Sequence, residues 1–90
     1  MLYLITYDIP DDRLREKVAQ TILDHGGKRI QYSALTLQTT PTELTELINK
    51  LKKTIGKEEA NILIIPLCSK DAEKTITINY KKNTEADTVI

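Results

Sequence analysis

The chain predicts an α+β fold with both helices on one face of a single sheet, and three observations carry that expectation. Strongly apolar runs at Leu2 to Ile9 and Asn61 to Cys68 read as strands. Two segments with helical spacing of apolar residues, 12–25 and 41–55, lie between them, and an extended stretch separates the two helices. Adding a short alternating run near the end, the order is βαββαβ with an additional C-terminal strand, the ferredoxin-like split unit.

Leu2 to Ile9 shows little alternation, as a strand covered on both faces and hence central would. Pro10 ends it and biases Ile9 toward extended backbone. Asp11 or Asp12 supplies an N-cap, and Leu14, Val18, Ile22 and Leu23 form the apolar stripe of the first helix, which Gly26-Gly27 stops. Lys28 to Gln38 is too long for one strand and short for two, so a bend near Tyr32-Ser33-Ala34 divides it. Thr40-Pro41-Thr42-Glu43 is a capping box with Pro at the first helical position, in which two orphan N–H groups are satisfied reciprocally. Leu44, Leu47, Ile48, Leu51 and Ile55 face the core, and Gly56 ends the second helix. Pro66 places the following strand at an edge or a bulge, and Thr75 to Tyr80 alternates as a half-exposed final strand.

Residues 1–80 read as one domain and 81–90 as a polar tail. A domain of this size buries roughly 60–70% of its unfolded surface. The open sheet face therefore needs cover, which sheet-to-sheet homodimerisation would supply. No run approaches the ~20 apolar residues that span a bilayer, and no signal-peptide pattern follows Met1, so a soluble cytoplasmic protein without membrane contact is expected. Cys68 has no partner for a disulfide or a cysteine zinc site and is expected to fill the core at a strand end. Thirteen basic and 13 acidic residues balance, which excludes a broad sequence-independent grip on nucleic acid and leaves local clusters to make any such contact.

Asp8, at the C-terminal end of a buried strand, either bonds the N–H groups of the Pro10 to Asp12 turn or serves a site. One carboxylate cannot hold a catalytic metal alone, but Mg²⁺ is commonly bound by one or two carboxylates, waters and substrate phosphates. Two Asp8 side chains meeting across a dimer axis would make such a site. Arg13, Arg15 and Lys17 lie where cations oppose the helix dipole; they are either a solvated face or a phosphate contact. Lys28-Arg29 is open to phosphate binding or to edge-strand protection. The lysines late in the second helix complement its dipole. Tyr3 and Tyr32 read as core or interface residues, whereas Tyr7 is placed to stack on a base or orient a phosphate. His25 is a helix-end residue, and Ser33 has no base beside it for nucleophilic chemistry.

The segments LYLITYDIPDDRLREKVAQ, KRIQYSALTLQ and ILIIPLC together resemble the small CRISPR-associated endoribonuclease family, the dimeric subunit that accompanies the CRISPR integrase in spacer acquisition. The resemblance covers about residues 1–80. It implies a ferredoxin-like homodimer in which Asp8 of each protomer lies near the two-fold axis and binds Mg²⁺, with Mn²⁺ as an alternative. It further implies metal-dependent cleavage of single-stranded RNA and, in some members, double-stranded DNA. Tyr7 and Asp8 match the strand-end motif, Arg15 and Lys17 the basic helix positions, Arg29 the strand opening and Ser33 the small hydroxyl residue. Leu35 stands where the family often has an aromatic, and Lys17 where Arg is common, losing the planar fork that suits phosphate. The competing expectation is a non-catalytic adaptor that bridges integrase subunits and holds protospacer DNA. A toxin-like RNA interferase is a further one, since this fold hosts many functions.

Overall fold

Aliphatic, aromatic and β-branched residues make Leu2–Asp8 the first strand, β1, of a computed structural model that describes residues 1–68, 73, 74 and 76. The elements that follow are α1 (Asp12–Asp24), β2 (Lys28–Gln31), β3 (Ala34–Gln38), α2 (Pro41–Ile55) and β4 (Asn61–Leu67). The strands form one sheet in the order β2-β3-β1-β4, and every pairing is antiparallel. This is the expected ferredoxin-like α+β arrangement, with β1 central.

Burial along β1 alternates with the pleat. Tyr3, Ile5 and Tyr7 are buried, Leu2, Leu4 and Thr6 are half-buried, and Asp8 is exposed. Cover on both faces, expected from the apolar run, is therefore absent among the described residues: both helices pack on the face of Tyr3, Ile5 and Tyr7. One cluster joins Ile5, Tyr7 and Leu35 of the sheet to Leu14, Val18 and Ile22 of α1 and Leu47 and Leu51 of α2. The opposite face carries Leu4 and Thr6, flanked in register by Ile65 and Leu63 of β4 and by Thr36 and Ala34 of β3. Leu63 and Ile65 are 56% and 41% exposed, an apolar surface that the described residues do not cover.

Asp11 caps α1, its Oδ2 accepting from the Leu14 N–H at 2.8 Å. At the other end His25 is the C-cap, Gly26 has φ +99°, and the N–H groups of Gly27 and Gly26 donate to Ile22 and Leu23 carbonyls at 3.0 and 2.9 Å. That pair of bonds is a Schellman motif. It returns the chain toward β2, which ends at the expected bend: Tyr32 and Ser33 form the turn into β3. A register shift between Arg29 and Gln31 takes Ile30 out of alternation and leaves it exposed.

At α2, Thr40 Oγ1 accepts from the Glu43 N–H at 3.2 Å, as a capping box requires. The reciprocal half differs from expectation, because Glu43 Oε1 accepts from the Thr39 hydroxyl at 3.1 Å. Thr39 is the buried polar residue of the fold, and its hydroxyl needs a partner that water cannot supply. Gly56, at φ +60°, donates its N–H to the Lys52 carbonyl and ends the helix, whose last turn carries Lys52 and Lys53. β4 lies at the sheet edge, the position in which Pro66 is tolerated.

Cys68 departs from its expected core role and is exposed, because β4 stops at Leu67, one residue short of it. Of the strand expected over 75–80 only Ile76 is described, and it is exposed. The remainder of that strand and the tail over 81–90 lie outside the described residues.

The Schellman turn gives a stability test. A Cβ at Gly27 would meet the Ile22 carbonyl oxygen at 2.8 Å, a contact with backbone that cannot rotate away, whereas one at Gly56 would meet nothing within 4 Å. Gly27→Ala is expected to cost about 2–3 kcal/mol and Gly56→Ala, which only strains φ, about 1 kcal/mol. Thermal melts at matched protein concentration measure the difference, with Gly27→Ala lower by several degrees.

Candidate functional site

The pleat decides which side chain of the Tyr7-Asp8 pair goes where. Asp8 shares the parity of Leu2, Leu4 and Thr6, so its carboxylate stands exposed at the end of the uncovered sheet face, opposite Asn61 of β4. Tyr7 points the other way. Its ring is buried among core residues, at 5% exposure, so the base-stacking role open to it in the sequence has no free ring face.

The polar end of Tyr7 is tied to the β2–β3 turn. Its hydroxyl donates to the Tyr32 carbonyl at 3.4 Å, and its backbone N–H donates to the Ser33 carbonyl at 3.1 Å, one step beyond the Thr6–Ala34 pair. Arg29 Nη1 donates to the same Tyr32 carbonyl at 2.7 Å and to the Tyr7 hydroxyl at 3.4 Å. Arg29 thus fastens the turn while its residue remains exposed as a whole. Ser33 sits half-buried on that turn.

Arg15 comes back from the first turns of α1 to the same place. Nη1 donates to the Ile9 carbonyl at 2.9 Å, Nη2 pairs with Asp12, and the guanidinium carbon lies 5.6 Å from the centroid of the Tyr32 ring. The hydrogen bond to Asp12 is the main cause that raises the Arg15 pKa above its ordinary value, so the group is cationic at any working pH. Its hold on Ile9 and Asp12 offsets the unfavourable location near the N-terminus of α1. Lys17 lies farther along the helix and is exposed, with Arg13 also exposed.

The structure therefore gathers Tyr7, Arg15, Arg29 and Ser33 around the β1 end, while the Asp8 side chain stands on the opposite, open face of the sheet and Lys17 makes no contact with this network. Of the core and interface roles open to Tyr32 in the sequence, the core one does not hold: it is 71% exposed, and it receives contacts from Tyr7, Arg15 and Arg29 together. The signal was its place in the bend between the two short strands, outside either alternating run.

Among the described residues no group of three or more His, Cys, Asp or Glu side chains is disposed to hold a metal. Asp8 is a hard oxygen donor on an exposed strand end, which fits Mg²⁺ only if a second carboxylate comes from another copy or phosphate oxygens complete the shell. Leu35, the position where an aromatic would have offered a stacking surface, is fully buried opposite Ile5. A side chain there packs into the core rather than meeting solvent.

The family described as CRISPR associated protein Cas2 matches residues 1–75. The chain belongs to the Cas2 family. It is similar to the CRISPR-associated endoribonuclease Cas2 of Desulforudis audaxviator, 38% identical over 71 residues that cover 79% of this chain and 67% of the relative. An Archaeoglobus fulgidus relative of the same description is 34% identical, covering 88% and 84% of the two chains. Among solved structures, Streptococcus pyogenes Cas2 superposes with a TM-score of 0.77 at 24% identity, covering 88% of this chain and all (100%) of that one, a likeness of fold. A chain of a partial Cas6-RT-Cas1–Cas2 complex gives 0.74 at 26% identity over 99% of this chain and 96% of that one. Among the described residues no helix is long and apolar enough to cross a membrane.

Tyr7 supplies the check on this geometry. Tyr7→Phe removes two long hydrogen bonds and is expected to change stability by less than about 1 kcal/mol, whereas Tyr7→Ala empties a core position and costs roughly 3–5 kcal/mol. Denaturant unfolding of the two variants measures this, and a mild Tyr7→Ala would show that the ring is not a core residue.

Proposed function

We propose that this Cas2 chain is a homodimeric, metal-dependent endonuclease of single-stranded RNA that works beside the CRISPR integrase in spacer acquisition, in the cytoplasm. The observation that carries the reading is the placement of Asp8, an exposed carboxylate at the rim of an uncovered apolar sheet face. If two copies close those faces on each other, each contributes Asp8 to one shared site.

The two Asp8 carboxylates would hold Mg²⁺, or Mn²⁺ in its place. When bound, such an ion supplies Lewis-acid polarisation of a phosphate and a lowered pKa for water. The chain's own residues supply the rest. Arg29 and the Tyr7 hydroxyl keep the β2–β3 turn, with Ser33, against the end of the strand that carries Asp8. Arg15, anchored on Ile9 and Asp12, adds positive potential beside the site, and exposed Lys17 and Arg13 extend it along α1. With no net charge, the chain binds a phosphate backbone only where such cations cluster. Lys17 contributes a point charge without bidentate geometry, which suits backbone tracking better than orientation of one phosphate. Naming of the relatives as endoribonucleases supports RNA as substrate; cleavage of double-stranded DNA is the wider form of the same proposal.

The alternative reading is an adaptor that bridges integrase subunits and holds protospacer DNA without cutting. The observation that favours it is the likeness, over nearly the full chain, to a chain in a complex that contains Cas1.

Asp8→Asn decides between them. It removes the charge without changing the size of the side chain, and it is expected to lower RNA cleavage by about 100-fold or more while the melting temperature stays near wild type. Chelator should abolish the wild-type activity, and the variant prepared in parallel controls for a contaminating ribonuclease. Activity undiminished in Asp8→Asn would sink the nuclease reading and leave the adaptor.

Dimerisation through the sheet is tested separately with Leu63→Glu and Ile65→Glu. Each puts a carboxylate on the apolar face, and light scattering after gel filtration is expected to give a monomer where wild type gives a dimer. A dimer that survives both substitutions would place the interface elsewhere.

A further inference from the structure

Tyr32 is the feature that the proposed chemistry leaves unused. It is 71% exposed, yet it is not a loose loop residue: its carbonyl accepts from Arg29 at 2.7 Å and from the Tyr7 hydroxyl at 3.4 Å. Its ring has the Arg15 guanidinium 5.6 Å from the centroid, and Arg15 is in turn fixed on the Ile9 carbonyl and Asp12. A tied backbone and a cation against the ring hold the aromatic in one orientation. Rings that size ordinarily gain by burial, so one kept in water in a held position is available to a partner.

The position narrows the partner. Tyr32 and Ser33 flank the end of β1, since the Tyr7 N–H bonds to the Ser33 carbonyl there, and Asp8 is the next residue along the strand. Arg15 stands against the ring, Arg29 holds the backbone behind it, and Asp12 is already paired to Arg15. A flat π-face bordered by fixed cations matches a nucleobase with its phosphate. Bases inside a duplex have their faces covered by neighbours, whereas bases of a single strand can splay onto an aromatic side chain.

We infer that the free face of the Tyr32 ring stacks a nucleobase of single-stranded nucleic acid, with Arg15 backing the ring, at the end of β1. The stacked base orients the strand across the β1 end and distinguishes single strands from duplex. This inference rests on the nucleic-acid reading above, and the same experiment separates failure of the two.

The test uses the full-length protein with chelator present, so that RNA is bound but not cut. Affinity for a labelled single-stranded RNA and for the duplex of the same sequence is measured by fluorescence anisotropy for wild type, Tyr32→Leu and Tyr32→Phe. The chain has four tyrosines and no tryptophan, so intrinsic emission reports tyrosine stacking directly; a Tyr80→Phe background removes one contributor. Tyr32→Leu is expected to weaken single-strand binding by about 5- to 100-fold, to change duplex binding by less than about 2-fold and to lose the RNA-induced quench. Tyr32→Phe keeps the affinity to within about 2-fold and also loses the quench, because the ring remains and the fluorophore does not.

Equal single-strand affinity of wild type and Tyr32→Leu would overturn the stacking site while leaving the nuclease reading intact. Equal weakening by Phe and Leu would overturn it too, since the hydroxyl and not the ring would then be in use. A shift of Tyr32→Leu from dimer to monomer would assign the ring to a contact with a second copy instead. Wild type that binds no single-stranded RNA either in chelator or with Mg²⁺ present overturns the nucleic-acid reading and this inference with it.

Discussion

The period of two along β1 is the constraint on which the rest of the structure depends. Both helices lie on one face of the sheet, so every second residue of the central strand enters the core and the others face outward. A shift by one residue would bury Asp8 and expose Tyr7, at the cost of an unpaired carboxylate in an apolar cluster. The register of β1 against β3 and β4 is therefore held by the same alternation that separates the two side chains. The outward set, with Leu4, Leu63 and Ile65, makes a sheet face that is apolar and that the described residues leave uncovered.

A second constraint follows at the end of that strand. The β2–β3 turn must be pinned if Asp8 is to have fixed neighbours, and the pin is made of polar contacts placed just outside the core: the Tyr7 hydroxyl, Arg29 and the Tyr32 carbonyl. The shortest of these is the Arg29 bond at 2.7 Å, a charge-assisted interaction and so the strongest single fastening. Arg15 closes the arrangement from the α1 side through Ile9. Cations that read as phosphate ligands in the sequence thus also carry structure. An arginine committed to a carbonyl by one nitrogen keeps further N–H donors, so the two duties are compatible.

Much of this was legible in the residues. Helix caps at Asp11 and Thr40, the turn at Tyr32-Ser33, the edge position of the Pro66 strand and the fold order all follow from local chemistry, and local chemistry is what a sequence displays. The departures share a different cause. Glu43 bonds Thr39 because that hydroxyl is buried by tertiary packing, Cys68 is exposed because β4 stops before it, and one face of the β1 run stays open because none of the described residues packs on it. Tyr7 is in the core and Tyr32 outside it for a similar reason. The face the helices take buries Tyr7, Tyr32 stands in a turn, and neither is written in the alternation of stretches that short.

The proposed dimer must also be consistent in energy, because closing the sheet faces would bring two carboxylates toward each other. Two unit charges about 4 Å apart in a surface-like medium repel by about 4 kcal/mol. Fully burying a Leu or Ile side chain contributes roughly 1.5–3 kcal/mol, and Leu63 and Ile65, each already partly covered, would contribute a fraction of that from both copies. The apolar gain is thus comparable to the repulsion before the entropy of association is counted. A divalent cation between the carboxylates reverses the sign of the charge term, so dimer formation and cation binding would be thermodynamically linked, each favouring the other. Such linkage gives half a site per chain a physical use: an isolated copy, with one exposed carboxylate and no group of three ligands among its described residues, has little hold on a cation and so little means to cut.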